Sequence, residues 1–315
     1  MASFRISKVY LGDYSTISSP KEKIETKFVL EDYLDGEKTS ESTEVKMQKK
    51  VIKDIASKNP IDVLIGADLS NQLGTTNETM SDIRIPYLGV YNACSSFPEE
   101  LIIASSLLKG TTLKNILCLV SSHNLAAERT FRYPIEYGSP RRITQTFTAT
   151  GAIGLILTKN ETPYRIESAT IGKVCDYDIK DVNNMGAVMA PGAADTLITH
   201  LRDMKRDISY YDLIMTGDLG ILGTEFFKNI LSRHDITLTN HIDAGSILIT
   251  DKTLTDQGAS GPVCLPLVLL EKVLKENKFK HILIIGTGAL HNTTMVNRHK
   301  SIPCISHAVS IEVNR

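Results

Sequence analysis

The chain is an α/β protein by sequence, and the expected arrangement is a five-layered αβαβα sandwich made of two similar halves. Three observations predict it. Short apolar strands alternate with helices along the whole chain, the pattern of a mostly parallel sheet covered on both faces. Segments of the first half fall, in order, on segments of the second. Two helices are apolar nearly all round, and such helices must be buried on every side, between sheets.

The internal similarity begins where Ile61-Asp-Val-Leu-Ile-Gly-Ala-Asp-Leu69 is laid over Tyr211-Asp-Leu-Ile-Met-Thr-Gly-Asp-Leu219, so that Asp62, Asp68 and Leu69 meet Asp212, Asp218 and Leu219. Next, Asn92-Ala-Cys-Ser and the helix through Lys109 fall on Gly258-Ala-Ser-Gly and the helix through Lys275. The strand from Ile116 to Val120 then matches Ile282 to Gly286, and Ala152 to Leu157 matches Ala308 to Val313. The halves are expected at residues 1–162, carrying Cys94, and 163–315. The all-apolar helices are Leu101-Ile-Ile-Ala-Ser-Ser-Leu-Leu108 and Val263-Cys-Leu-Pro-Leu-Val-Leu-Leu270.

Composition narrows the function classes. The 315 residues hold 35 Lys and Arg against 36 Asp and Glu, so bulk charge gives no support to nucleic-acid or anionic-membrane binding. Five cysteines, at 94, 118, 175, 264 and 304, form neither a disulfide framework nor a CxxC metal pattern. They fit a reducing compartment, with no metal or cofactor. The N-terminus lacks a hydrophobic signal core and no apolar run approaches the ~18 residues of a spanning helix, which predicts a soluble, non-secreted protein.

Taken in order, residues 31–50 are highly charged and read as a solvated loop and helix start. Cys94 then stands where an apolar strand hands over to an apolar helix. Ser96 and Glu99 have capping-box spacing and Pro98 suits a first turn, so the helix is expected to open at Ser96. The positive end of its dipole favours a thiolate at Cys94, against the alternative of a small core residue. The strand ending at Val120 runs into Ser121-Ser-His-Asn124, and ligands bind beyond the carboxyl ends of such strands, making His123 an expected neighbour of Cys94. Arg129, Arg132, Tyr133 and Tyr137 follow, residues suited to carboxylates and flat rings but equally to a surface loop. Residues 184–196 are rich in small side chains and read as close packing. His291, in Gly286-Thr-Gly-Ala-Leu-His-Asn292, is the other candidate base, whereas His307 lies in an alternating strand and reads as structural.

These residues resemble the thiolase fold, in which two similar halves pack and a cysteine caps a buried helix of the first half. A narrower resemblance is to the stage V sporulation protein AD family. It is carried by Pro20-Lys-Glu-Lys23, Gly66-Ala-Asp-Leu-Ser-Asn-Gln72, Ala93-Cys-Ser95, the run Ser121 to Gly138, Met189-Ala-Pro191, Ala193-Ala-Asp-Thr196, Thr216-Gly-Asp-Leu219, Gly286-Thr-Gly-Ala-Leu290 and Ser301-Ile-Pro-Cys-Ile-Ser-His307. The resemblance covers the chain from about residue 20 onward, and the run 121–138 is its most specific part.

The resemblance implies a non-catalytic protein that binds dipicolinic acid (pyridine-2,6-dicarboxylate). It would act with membrane proteins of the same sporulation operon to load that compound into the developing spore, from the forespore cytoplasm or the face of the spore inner membrane. Expected ligand-binding residues are Cys94, Ser95, His123, Asn124, Arg129, Arg132, Tyr133 and His291. A homodimer through the edge strand from Ile83 to Val90 is also implied. The alternative is an acyl-transfer or condensing enzyme of the ketoacyl synthase III type with Cys94 as nucleophile. Against it, the Gly-His motif of thiolases and ketoacyl synthases is replaced by Asp256-Gln-Gly-Ala-Ser-Gly-Pro262, and Pro262 and Pro266 also depart from the family's own pattern there. A third reading is a structural scaffold with an empty or blocked pocket.

Overall fold

A computed structural model describes residues 2–132 and 141–314. In chain order the elements are β1 (Ser3–Arg5), β2 (Tyr10–Ser18), β3 (Phe28–Val29), α1 (Ser40–Ala56), β4 (Val63–Ala67), α2 (Gly74–Ile83), β5 (Tyr87–Gly89), α3 (Ser96–Gly110), β6 (Asn115–Ser122), α4 (Asn124–Phe131), β7 (Phe147–Thr148) and β8 (Gly151–Thr158). Then come β9 (Tyr164–Thr170), α5 (Met185–Met204), β10 (Leu213–Thr216), α6 (Gly220–Ser232), β11 (His241–Asp243), α7 (Ala244–Leu248), β12 (Ala259–Ser260), α8 (Cys264–Val268), α9 (Leu274–Glu276), β13 (His281–Ala289), α10 (Thr293–Asn297) and β14 (Cys304–Val313). A π-helical turn, Leu269–Val273, joins α8 to α9.

The strands form two arrays, β5-β4-β6-β8-β2 and β11-β10-β13-β14-β9, linked by a single bridge between Tyr10 of β2 and Arg165 of β9. Pairing follows one pattern in both. Three strands run parallel (β5, β4, β6 and β11, β10, β13), and two antiparallel strands complete each array.

Alternation along the strands makes the layers, because successive side chains of a strand point to opposite faces. In β6, Ile116, Cys118 and Val120 join the central core, while Leu117 and Leu119 pack outward with Met47, Val51, Ile52 and Ile55 of α1. In β13, Ile282 and Ile284 face the same central core, and Leu283 and Ile285 face Val188, Met189 and Leu197 of α5. The central core holds Phe97, Leu101, Ala104 and Leu108 of α3 and the apolar run from Cys264 to Leu270, all buried. The five layers are therefore α1 with α2, the first array, α3 with α8 and α9, the second array, and α5 with α6. Truncating Leu101 or Leu108 to Ala in that middle layer removes methylenes from a site packed on both sides, at a cost of about 2–5 kcal/mol.

The charged stretch 31–50 is less solvated than its composition suggests. Thr39 caps α1 by accepting from the Ser42 N–H at 3.1 Å, and the helix face it launches buries Glu44 and Gln48. Ser121 at the end of β6 donates to Glu44 Oε1 at 2.6 Å and accepts from Gln48 Nε2 at 2.7 Å. Among the described residues, no helix is long and apolar enough to cross a membrane.

Candidate functional site

Cys94 lies in a 3₁₀ turn, Ala93–Ser95, immediately before α3. Ala93 has φ +49°, a left-handed conformation uncommon for a residue with a side chain and of the kind that concentrates at functional sites. The helix begins at Ser96 as expected, but the capping box does not form. Ser96 is already helical, so its hydroxyl turns back, accepting from the Asn92 N–H at 3.0 Å and donating to the Ala93 carbonyl at 2.8 Å. A cap requires an extended residue, and the 3₁₀ turn has consumed that position. Burial raises the Glu99 carboxyl above its ordinary value, opposed in part by the Asn92 side chain.

The second array fixes this turn from below. The His307 N–H donates to Ser95 Oγ at 3.1 Å, and the His307 ring spans Gly172 N–H, accepted at Nδ1 over 3.1 Å, and the Asn92 side-chain amide, 3.1 Å from Nε2. Burial pushes His307 down to about 4, so the ring is a neutral strut at physiological pH. Contact this close requires glycine in β13: a Cβ on Gly288 would come within 2.4 Å of the Asn92 carbonyl oxygen.

Above the turn is a cavity of about 50 Å³. Its polar lining is Cys94, Arg132, Thr148, Asp218 and Ser260 with the Gly261 backbone; its walls include Tyr91, Phe131, Met185 and Met189. Cys94 is half-buried, whereas the other four cysteines are buried. Asp218 is fully buried, just beyond β10. Its Oδ1 accepts from the Thr287 hydroxyl at 2.5 Å and its Oδ2 from the Gly261 N–H at 2.8 Å, and it lines the same cavity as the Cys94 thiol. Gly261 holds φ +116°, a conformation that only glycine adopts without strain, and this aims its amide into the site.

The electrostatics follow from burial. Desolvation lifts Asp218 to about 7, only partly offset by the hydrogen bonds from Cys94, Thr287 and Gly261, and nearby Asp243 lifts it further. Desolvation also pushes the Cys94 thiol well above its ordinary value, and the facing Asp218 adds to the effect, while Arg132 and the Gly261 amide oppose it. The thiol at the start of α3 is therefore protonated near neutral pH, contrary to the thiolate that the helix dipole favours. Desolvation of the thiol, with a fully buried carboxylate facing it, outweighs a dipole whose effect is of order 1 kcal/mol.

Of the residues expected at the site, Cys94 and Arg132 meet in this cavity. Arg132, its side chain 7% exposed, pairs with Glu128 and reaches Thr146 Oγ1 at 3.4 Å, leaving Nε without a partner among the described residues. Ser95 is turned down to β14 by its bond to His307. His123 caps α4, accepting the Leu125 N–H at Nδ1 over 3.3 Å, with Nε2 held 2.6 Å from the Tyr33 carbonyl; neither nitrogen is left to serve as a base for Cys94. Asn124 anchors the same helix through Thr150 Oγ1 at 2.9 Å and the Thr148 carbonyl at 3.2 Å. Arg129 is at the surface, paired with Glu41. His291 is buried edge-on against Phe131, with ring centroids 5.2 Å apart, and both nitrogens lack partners among the described residues. Burial and Arg132 hold it down at about 4, so it too is neutral. Tyr133 falls in 133–140, outside the described residues.

Sequence reasoning missed Asp218 as a site residue. Its motif was visible in the match of Asp218 to Asp68, but the two diverge. Asp68 spends its carboxylate on its own half, accepting from the Ser70 N–H at 2.6 Å and from the Thr76 N–H at 2.8 Å, whereas Asp218 faces the thiol.

Comparison with known proteins agrees with this architecture. The sequence profile of the family described as Stage V sporulation protein AD (SpoVAD) matches residues 7–312. The Stage V sporulation protein AD of Bacillus subtilis (strain 168) is 39% identical over 260 residues, 81% of this chain and 77% of that protein. Among solved structures, a variant of OleA from Xanthomonas campestris superposes with a TM-score of 0.64 at 14% identity, over 98% of this chain and 99% of that one. The 3-oxoacyl-[acyl-carrier-protein] synthase III of Aquifex aeolicus VF5 superposes with a TM-score of 0.58 at 14% identity, over 96% and 99%. At such identities these structures establish the thiolase-like fold alone.

Proposed function

Since the chain belongs to the stage V sporulation protein AD family, we propose that it serves sporulation as a non-catalytic binding protein for dipicolinic acid, assisting the membrane proteins of its operon in loading that compound into the spore. The observation that carries the non-catalytic part is the pairing of Cys94 with Asp218 rather than with an imidazole. A nucleophilic thiol needs a base or a positive neighbour to become thiolate. Here burial keeps the proton on sulfur, and the facing acid adds to that effect.

The same cavity has features that suit an aromatic dicarboxylate. Arg132 lines the cavity with its Nε unpartnered among the described residues, Thr148 and Ser260 offer hydroxyls, and Tyr91 and Phe131 supply flat walls. At about 50 Å³ the space is smaller than the ~300–1,000 Å³ of ordinary ligand sites, so binding must open it. Met185 and Met189 are the wall residues best able to repack, having unbranched, flexible side chains.

Calorimetric titration with dipicolinate is expected to show saturable binding, weakened at least about tenfold by Arg132→Ala and unchanged by Arg129→Ala, because only the first residue lines the cavity. Absence of binding, or equal sensitivity to both substitutions, would overturn the assignment.

The condensing-enzyme reading retains one favourable observation, a cysteine at the start of the middle-layer helix in a fold shared with OleA and the synthase III. Intact-mass analysis after incubation with acyl-thioesters discriminates. No adduct is expected; an adduct lost in Cys94→Ala would establish acyl transfer.

A further inference from the structure

Among the described residues lining the Cys94 cavity, Asp218 is the only carboxylate and Arg132 the only cation, and Arg132 is already paired with Glu128. A dianion entering this space therefore meets a cation that is neutralised and an acid that has no exposure to water. Among the described residues, the neighbours of Asp218 supply no second positive charge. From the turn before α3 it is faced by the Cys94 thiol, from α8 by Cys264 and from the end of β11 by Asp243, and Arg132, just past α4, lines the same cavity. β13 brings the Thr287 hydroxyl, the segment before α8 brings the Gly261 amide, and α5 brings only Met185 and Met189. Two like charges confined together in a desolvated site do not both persist; one of them takes a proton.

We infer that Asp218 is a ligand-specificity residue that works in its neutral form, so that the site takes up one proton with each dicarboxylate dianion it binds. This rests on the dipicolinate reading above and adds the means by which the site tolerates the ligand's charge. The balance is simple. The ionised Asp218 carboxylate gains a proton from solvent, one O–H bond forms, and that O–H becomes a donor to a ligand carboxylate beside the Arg132 guanidinium. A protonated acid in this position selects for anionic acceptors, which an ionised one would repel. The carboxyl lies close to the condition this requires, since burial and Asp243 hold its ionisation near pH 7 rather than in the ordinary carboxylate range.

The test is calorimetric titration of the full chain with dipicolinate in pairs of buffers that differ in ionisation enthalpy, which counts protons bound per ligand. About one proton is expected near pH 8.5, falling toward none near pH 5.5, with affinity dropping up to about tenfold per pH unit above about 7. Asp218→Asn is expected to bind at pH 8.5 with no proton uptake. Thr287→Val keeps Asp218 but removes a hydroxyl that stabilises its ionised form, so the midpoint of uptake is expected to move to higher pH; this variant serves even where Asp218→Asn does not fold. Binding without proton uptake at pH 8.5, uptake that survives Asp218→Asn, or a midpoint unmoved by Thr287→Val would each overturn the inference while leaving dipicolinate binding intact. No binding at either pH would instead remove the reading on which it stands.

Discussion

Cys94 owes its chemistry to what faces it. A cysteine before an apolar helix is the usual position of a reactive thiol, and here the backbone geometry for one is present: a left-handed residue just ahead, and a half-buried side chain. Burial reverses that reactivity by holding the proton on sulfur, and the facing Asp218 adds to it by repelling a thiolate. The pH consequence has a definite sign. Because the thiol value is raised, alkylation of Cys94 by iodoacetamide should be slow at pH 8 and climb with pH beyond the range in which free cysteine levels off. Asp218→Asn removes the charge but not the burial, so labelling at pH 8 should rise by about tenfold for each unit by which the thiol relaxes. Peptide mapping separates Cys94 from the four buried cysteines. Fast labelling of the unmodified chain at pH 7 would show that the acid does not control the thiol.

Elements were legible where local periodicity decides them. The middle-layer helices declared themselves because a helix apolar on all sides has only one place to go, and the alternating faces of β6 and β13 divide between inner and outer cores as their period requires. Polar residues beyond strand ends were legible only as a group. His123, Asn124, Arg129 and Arg132 follow β6 within a dozen positions, and α4 sorts them: His123 and Asn124 become its anchors, Arg129 turns to Glu41 at the surface, and Arg132, one turn after Glu128, reaches the cavity. That sorting depends on Tyr33, Glu41 and Thr150, residues distant in sequence that no local pattern connects to α4. The same limit hid the burial of Glu44 and Gln48, whose partner Ser121 lies on another element, and separated Asp218 from its sequence counterpart Asp68. Contacts made by distant segments, Thr287 and Gly261 to Asp218 and His307 to Ser95, bring Asp218 to the thiol's cavity.

At the scale of the whole molecule, the edge of the first array is left unpaired among the described residues. β5 is its terminal strand, hydrogen-bonded to β4 on one side only, with Leu88 45% exposed and Tyr91 39% exposed just beyond it. An edge strand offers a row of unsatisfied N–H and C=O groups, and proteins normally shield such edges by charge, proline, brevity or another chain. Pro86 and the three-residue length shield this one in part, but among the described residues of a single copy the apolar side chains at its centre and end are exposed. We propose that a second copy of the chain covers them, extending the first array across a two-fold axis and placing the two Cys94 turns, each only a few residues past β5, near the shared boundary. Sedimentation equilibrium at micromolar concentration should then give a dimer. Leu88→Lys, which puts a charge on the edge without touching either core, should shift it to monomer while leaving the thermal transition within a few degrees, as expected for a surface change of under about 0.5 kcal/mol to the fold itself. A monomer in the unmodified chain, or a dimer indifferent to Leu88→Lys, would place the contact elsewhere or abolish it. Because Tyr91 belongs both to this margin and to the wall of the cavity, loss of the dimer should also weaken dipicolinate binding, which ties the assembly to the site.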